Sequence, residues 1–378
     1  MTKKVMAVVA VLMFGLAVSC GGGSSSSGTT GTADCTSVSG QALVCGTVTA
    51  ADLTPVVGAE VKNTTSGAGT AMPGYYKGLP DGVSKSVEKS TTTTCLTDAN
   101  GSFACEAGTA SGSYTFSVTM TGFSLTFASD LTLDSTTAVP AADTTATGAN
   151  ITAKWLVITG SWDGVQLLLS QMKGCTLTGS ESVPEDMTGS AACEAVNLVV
   201  QDASLASTTF SDIANLTPYN SIFINCGTDM SAYSTVIQEY VAAGNNIYFS
   251  DLSDPGVTAA FPDKVTYGTG STTTGTVTAN ADNADLQTYL GKTTVDIDFN
   301  LGSWMPIASV ASGVTTFVSG DTSSLGGTVG APITVGWTQD AKGCVFYTSY
   351  HIETGGSATA DQAKVLKYLI LNAESVCE

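Results

Sequence analysis

The hydrophobic pattern divides the chain into two parts with different periods. From Cys35 to about Asn150, short runs alternate apolar with polar residues and stop at turn residues. In 113–121 the residues Tyr114, Phe116, Val118 and Met120 share one face, which is the period of a half-buried strand. Similar strands are predicted at 41–49, 58–63, 92–97 and 102–106, with a hairpin turn at 98–101. This spacing predicts a small antiparallel β-sandwich over 35–150.

In the second part, strands alternate with helices. Residues Tyr233, Val236, Ile237, Tyr240 and Val241 recur at spacings of three and four, which predicts an amphipathic helix over 231–243. Further helices are predicted at 165–173 and 361–372. Strands are predicted at 154–159, 195–201, 221–225, 246–250, 293–299, 314–319, 333–337 and 345–349. The alternation predicts a second domain, 151–378, with a largely parallel sheet covered on both faces.

The first residues have the features of a secretory signal peptide over 1–19. Lys3 and Lys4 precede a short apolar run, and small residues lead to Cys20, which a Gly/Ser-rich stretch follows. The segment resembles the bacterial lipoprotein signal. That resemblance implies that Cys20 is acylated, that 20–34 is a tether, and that a lipid on Cys20 attaches the protein to the membrane of the cell envelope. Because Gly21 and not Asp follows Cys20, it further implies the outer membrane.

Charge excludes one class of partner. The formal net charge is −19, and every one of the 13 basic residues is lysine. Arginine is the residue suited to planar, bidentate recognition of phosphate. We therefore expect no nucleic-acid partner.

Ten cysteines in an exported chain indicate disulfides. No Cys-x-x-Cys pair occurs and His351 is the single histidine, so zinc-finger patterns are excluded. Chain topology favours Cys344–Cys377, because the last helix runs back toward the start of the last strand, and proximity favours Cys175–Cys193. Two more bridges would use Cys35, Cys45, Cys95 and Cys105, for which three connectivities stay open. Cys226 is then the unpaired thiol.

No metal or cofactor is predicted. Two groups of polar residues offer oxygen ligands, but neither has the spacing of an EF-hand loop. The groups are Asp98, Asn100 and Glu106, and Asp282, Asp285, Asp296 and Asp298. We interpret both as turn and surface residues.

Short segments resemble two known families. The segments "CGTVTAADLTPVVGAEVKNT", "TTCLTDANGSFACEAG" and "SYTFSVTMTGFS" resemble the carboxypeptidase regulatory-like domain, a transthyretin-like sandwich, with an insertion around 67–90. The segments "YNSIFINCG", "YVAAGNNIYFSD" and "GAPITVGWTQDAKGCVFYTSYHIE" resemble the class I glutamine amidotransferase-like fold, including its trehalose-utilisation-type relatives. The resemblance implies a flavodoxin-like α/β domain.

Loops after the strand ends form the expected functional rim. It contains Trp162, Asp163, Ser250 and Asp251, and Cys226 is expected there beside His351. The amidotransferase resemblance implies one hydrolase hypothesis, in which Cys226 is the nucleophile and His351 and Glu353 form the His-x-Glu pair. Cys226 comes one strand too early for that role, and the nucleophile position falls at Ser250-Asp251.

We therefore expect a non-catalytic binding or assembly role at the cell envelope, with a glycan, peptide or envelope protein as ligand. A thiol-dependent amidase or hydrolase is the first alternative. A structural surface stalk without a ligand is the second.

Overall fold

The computed structural model describes residues 40–65, 94–98, 100–120, 122–180, 183, 186–340, 342–352 and 360–372. The predicted signal peptide, Cys20, the tether, Cys35, the insertion at 67–90, Glu353 and Cys377 lie outside these ranges. The predictions made for them remain predictions.

The first part of the described chain forms two small sheets. Sheet A has the order β4-β1-β7 and sheet B the order β3-β2-β5-β6. Their strands are β1 (Ala42–Thr47), β2 (Glu60–Asn63), β3 (Thr94–Leu96), β4 (Ser102–Gly108), β5 (Gly112–Met120), β6 (Phe123–Leu131) and β7 (Thr136–Ala138).

Aromatic side chains join the two sheets. In β5, Tyr114, Phe116 and Val118 are buried, which confirms the predicted period of two. Phe127 of β6 lies with its ring centroid 5.1 Å from that of Phe116 and 5.8 Å from that of Phe103 in β4. Buried apolar residues of sheets A and B therefore share one core.

The predicted hairpin at 98–101 is wrong. The turn itself forms, with Gly101 at φ 72° and its amide donating to the Asp98 carbonyl at 2.8 Å. However, β3 pairs with β2 in sheet B, whereas β4 pairs with β1 in sheet A. The turn thus carries the chain between sheets, and the Cys95–Cys105 disulfide links them beside it.

The remaining strands form mostly one large sheet, with the order β14-β13-β16-β17-β18-β11-β10-β8-β9 among the described residues. Its strands are β8 (Trp155–Ile158), β9 (Leu198–Gln201), β10 (Ser221–Ile224), β11 (Asn246–Ser250), β13 (Gly275–Ala281), β14 (Thr294–Phe299), β16 (Thr315–Gly320), β17 (Ala331–Gln339) and β18 (Gly343–Thr348). A separate pair contains β12 (Val265–Tyr267) and β15 (Ile307–Val310).

The large sheet is less parallel than the sequence predicts. Strands β9, β8, β10, β11 and β18 are parallel, but β17, β16, β13 and β14 continue the sheet antiparallel. Antiparallel strands need no crossover helix, so the alternation of strand and helix is lost there.

Helices cover both faces of the parallel strands, as predicted. The helices are α1 (Ala141–Thr144), α2 (Val165–Lys173), α3 (Ala191–Ala195), α4 (Ala206–Thr209), α5 (Ser234–Ala242), α6 (Asp254–Ala260), α7 (Ala284–Leu290) and α8 (Ala360–Leu371). Val157 of β8 belongs to the apolar cluster that contains α2 and α8, and its neighbour Ile158 belongs to the one that contains α5 and α6. None of the helices in the described part of the chain has the length and apolar character needed to cross a membrane.

The cysteine predictions that fall on described residues can be followed. Cys175–Cys193 and Cys95–Cys105 are bridged. Cys344 is also disulfide-bonded, while its predicted partner Cys377 lies outside the described ranges. Cys226 forms no disulfide.

Candidate functional site

The carboxyl ends of four adjacent parallel strands bring together four polar side chains. Asp163 follows β8, Cys226 follows β10, Asp251 follows β11 and His351 follows β18, and these strands are neighbours in the sheet. All four residues are buried, with relative exposures of 0% for the first three and 3% for His351. We call these residues the edge cluster.

Asp251 lies at the sharp turn from β11 toward α6. Its φ is 38°, in the left-handed region that few non-glycine residues adopt, although Asp is enriched there. A strand followed by a strained turn and a helix is the arrangement that positions a nucleophile in hydrolases with an elbow. Here that position carries a carboxylate.

Both carboxylate oxygens of Asp251 have partners. The amide of Met305 donates to Oδ1 at 3.0 Å. Oδ2 lies 3.4 Å from Nδ1 of His351 and 3.7 Å from Sγ of Cys226. Burial raises the pKa of Asp251, while the hydrogen bond and the charge of His351 lower it.

Asp163 ties together the chain segments that carry the other three residues. Its Oδ1 accepts from the Ile352 amide at 2.9 Å. Its Oδ2 accepts from the Cys226 amide at 3.3 Å and from the Ser250 hydroxyl. Burial raises the pKa of Asp163, and the charge of His351 is the largest opposing cause.

The thiol of Cys226 is in a poor environment for nucleophilic attack. Burial raises its pKa far above the ordinary thiol value, and the charges of Asp251 and Asp163 raise it further. A reactive cysteine needs the opposite, a nearby positive charge that favours the thiolate. The Cys226 side chain is therefore a neutral thiol in this environment.

The structure changes the picture of the predicted rim. Trp162 is 42% exposed, but Asp163, Ser250 and Asp251 are completely buried and lie out of reach of a ligand bound at the surface. Cys226 was expected at the rim beside His351; it is instead buried, with the Asp251 carboxylate within reach of both. Glu353 lies outside the described residues.

Sequence reasoning missed two supporting groups. The Met305 amide reaches Asp251 from the segment before β15, and the Tyr347 hydroxyl donates to the Asp251 carbonyl at 2.9 Å. Nothing in the sequence marks Met305, because its contribution is a backbone amide. Tyr347 lies in the predicted strand 345–349, and nothing in the sequence distinguishes it from its equally buried neighbours.

The polar groups considered for calcium have ordinary roles where their contacts are described. Asp98 Oδ1 accepts from the amides of Asn100 and Ser102 within its turn. On β14, Asp296 and Asp298 accept from threonine hydroxyls of the neighbouring strand β13.

Comparison with solved structures finds the chain similar to α/β proteins at low identity. A ThuA-like protein from Bacteroides uniformis is 12% identical, with 57% of this chain and 88% of that chain covered and a TM-score of 0.39. A glutamine amidotransferase from Thermotoga maritima is 10% identical, with 60% and 86% covered and a TM-score of 0.35. A cytoplasmic protein of Salmonella typhimurium is 13% identical, with 58% and 98% covered and a TM-score of 0.38.

No protein-family model matches the sequence, and no curated protein matches it significantly. The protein is a mixed α/β chain with ThuA-like and glutamine amidotransferase-like structural neighbours. Likeness at this level says nothing of function, which rests on the residues of the site.

Proposed function

We propose that this protein is a lipid-anchored component of the bacterial cell envelope with a non-catalytic binding or assembly role. Its first region would be a carboxypeptidase regulatory-like sandwich, and its second an amidotransferase-like domain that has lost its nucleophile. The observation that carries the proposal is Asp251: the elbow after β11 holds a buried carboxylate.

The exposed indole of Trp162 supports a binding role at the same edge of the large sheet. Trp162 is the aromatic residue among the exposed large hydrophobic side chains in the described ranges. It packs over Gly227, where an added Cβ would meet its ring at 2.9 Å. Tryptophan is enriched among residues that dominate binding energy, because its large ring buries much apolar area.

The rival thiol hydrolase has one observation in its favour. Ligand-type atoms of Cys226, Asp251 and His351 lie within 4.8 Å of one another. Against it, the thiol is buried and faces carboxylates, which keep it protonated. An enzyme of this type needs an accessible thiolate.

Thiol labelling distinguishes the two roles. The native full chain is treated with iodoacetamide at several pH values up to about 9, near the ordinary thiol pKa. Peptide mass spectrometry then measures labelling at Cys226. We expect labelling only after unfolding in urea, because Cys226 is buried in the native chain. Rapid labelling at neutral pH, lost in His351→Asn, would show an accessible, His-activated thiolate and favour the hydrolase instead.

Binding through Trp162 has its own measurement. The full chain with Cys20→Ser, which cannot be acylated, is incubated with purified peptidoglycan and with outer-membrane vesicles, and the bound fraction is determined by sedimentation. We expect Trp162→Ala to lower binding at least tenfold. Leu96→Ala is the control, because Leu96 is 52% exposed on β3 in sheet B. Equal losses in both variants, or no binding by the wild type, would favour the stalk.

Lipidation is tested by mass spectrometry of the mature amino terminus. An acylated Cys20 is expected, and a chain that begins at another residue would refute the anchor.

A further inference from the structure

We propose that Cys226, Asp251 and His351 bind one divalent transition-metal cation, and that Zn²⁺ is the ion their donor atoms fit best. The proposal goes beyond the binding role above and does not depend on it. It concerns how the carboxyl edge of the large sheet is held together.

The donor set itself points to this class of cation. A thiol sulfur, a carboxylate oxygen and an imidazole nitrogen lie within 4.8 Å of one another, and all three side chains are buried. Zn²⁺ binds sulfur, nitrogen and oxygen donors together, whereas Ca²⁺ and Mg²⁺ take oxygen donors. The sulfur of Cys226 therefore excludes the two commonest hard cations.

The nitrogen–oxygen distance fits a shared cation better than a direct hydrogen bond, and the sulfur–oxygen distance is compatible with both. The separation of His351 Nδ1 from Asp251 Oδ2 is 3.4 Å, and that of Cys226 Sγ from the same oxygen is 3.7 Å. A good nitrogen–oxygen hydrogen bond is about 2.7–3.2 Å long. Donor atoms on a tetrahedral zinc lie about 3.3–3.6 Å apart, given bonds of about 2.0–2.3 Å.

The surrounding hydrogen bonds hold the donors in place. Met305 occupies Oδ1 of Asp251 and so leaves Oδ2 turned toward the thiol and the imidazole. Asp163 accepts from the Cys226 amide and from groups adjacent to Asp251 and His351, namely the Ser250 hydroxyl and the Ile352 amide. Outer hydrogen bonds of this kind orient the ligands of metal sites.

Charge balance completes the argument. Binding converts the Cys226 thiol to a thiolate, and its proton leaves to water. The thiolate and the Asp251 carboxylate then neutralise the two positive charges of Zn²⁺, while neutral His351 donates a nitrogen lone pair. The cation would join the ends of β10, β11 and β18, three neighbouring strands that other elements separate along the chain.

The test is the metal content of the full chain. Because the cluster is buried, the protein is refolded with Zn²⁺, desalted, and measured by plasma mass spectrometry. We expect one zinc per chain in the wild type and its loss in Cys226→Ser, which changes a single atom. Asp254→Asn is the matched control, since Asp254 begins α6 near the cluster but contributes no donor. It should keep the metal.

Refolding with Co²⁺ gives a second readout. A thiolate bound to Co²⁺ produces a near-ultraviolet charge-transfer band, which should appear in the wild type and in Asp254→Asn but not in Cys226→Ser. Circular dichroism identifies which variants fold. If Cys226→Ser does not fold, His351→Asn and Asp251→Asn replace it as the variants that lack one ligand. A wild type without metal, or any folded ligand variant that keeps both the metal and the band, would overturn the proposal.

Discussion

Ionisable side chains are buried at both ends of the parallel strands, but their hydrogen-bond partners come from different parts of the chain at each end. At the carboxyl edge, the edge cluster joins side chains from four separate strand ends. At the amino end of β8, the buried ionisable side chain is a single lysine, Lys173, whose partners are backbone carbonyls and an aromatic ring. The Lys173 ammonium donates to the carbonyls of Ile151 and Ala153 at 2.6 and 2.7 Å and lies 4.4 Å from the Trp155 ring centroid.

Helix α2 connects the two sites. It begins directly after Gly164, beside Asp163, and ends at Lys173, where Gly174 adopts φ 63°. The partners of Lys173 are backbone carbonyls of the segment that leads from the first region into β8. The partners of Asp163 come from positions 63, 87 and 189 residues away.

The difference shows that a buried ionisable side chain can take its hydrogen-bond partners from several distant segments or from one neighbouring segment. The edge cluster exists only when the parallel strands are correctly paired. The Lys173 hydrogen bonds instead hold the segment that leads into β8. We therefore expect their loss to disturb mainly the structure of the segment that joins the two regions.

The strongest way to test the comparison is Asp163→Ala. It removes acceptors from two buried amides and one hydroxyl and leaves His351 with one carboxylate fewer. We expect a loss of about 3–5 kcal/mol in the free energy of unfolding, as is typical when one partner of a buried charge network is removed. Urea unfolding followed by circular dichroism measures it. A loss below about 1 kcal/mol, the usual effect of a surface change, would contradict the role given to Asp163.

Two glycines test the close packing of each edge by the same change. An added Cβ would lie 2.0 Å from the Cys226 carbonyl oxygen at Gly160, and 1.8 Å from the Lys173 carbonyl oxygen at Gly148. Since backbone must move in both cases, we expect Gly160→Ala and Gly148→Ala each to destabilise the fold by about 3 kcal/mol.

The control for this pair is Gly302→Ala, because nothing lies within 4 Å of its added Cβ. Thermal and urea unfolding of the three variants should leave Gly302→Ala within about 0.5 kcal/mol of the wild type. If the other two variants behave like it, the edges are less tightly packed than the structure shows.

The pH dependence of Lys173 gives the third test. Burial lowers its pKa from 10.5 to about 7. Between these values the unfolded chain binds a proton that the folded chain does not, so stability rises with pH across this window. Relative to Lys173→Met, the wild type should gain about 2 kcal/mol from pH 7 to pH 9.

Urea unfolding of both proteins at these two pH values provides the measurement. Groups other than Lys173 titrate equally in the two proteins, so their effects cancel in the difference. A difference that does not change with pH would mean that the two carbonyls and the indole keep Lys173 protonated when it is buried.

Local patterns predicted much of the fold. Helix α2 and strand β11 have the predicted bounds, because their apolar periods are regular and glycines end or flank them. Strands β6, β7, β12, β13 and β15 and helices α1, α3, α4, α6 and α7 were not predicted. In β13 the apolar positions are small, since the buried residues are Val277, Ala279 and Ala281. Strand β6 does alternate, with Phe123, Leu125 and Phe127 buried, so its period was present but not used.

The candidate site was only half predictable. That residues after parallel strands meet at one edge follows from topology, and it placed Asp163, Asp251 and His351 in one group. Burial could not be predicted, because it depends on segments distant in sequence, such as the one that carries Met305. The sequence therefore indicated an open rim where the structure has a closed cluster.

By itself, the sequence determined that the parallel strands β8, β9, β10, β11 and β18 and the helices α2, α5 and α8 form. It also determined that Cys226 is the cysteine without an obvious bridge and that no cysteine occupies the elbow after β11. These properties depend on composition and period, which local residues specify. The tertiary structure alone decided that β3 and β4 belong to different sheets and that the Asp251 carboxylate lies within reach of both the Cys226 thiol and the His351 ring. Strand pairing brings together residues distant in sequence, and no local pattern encodes those partners.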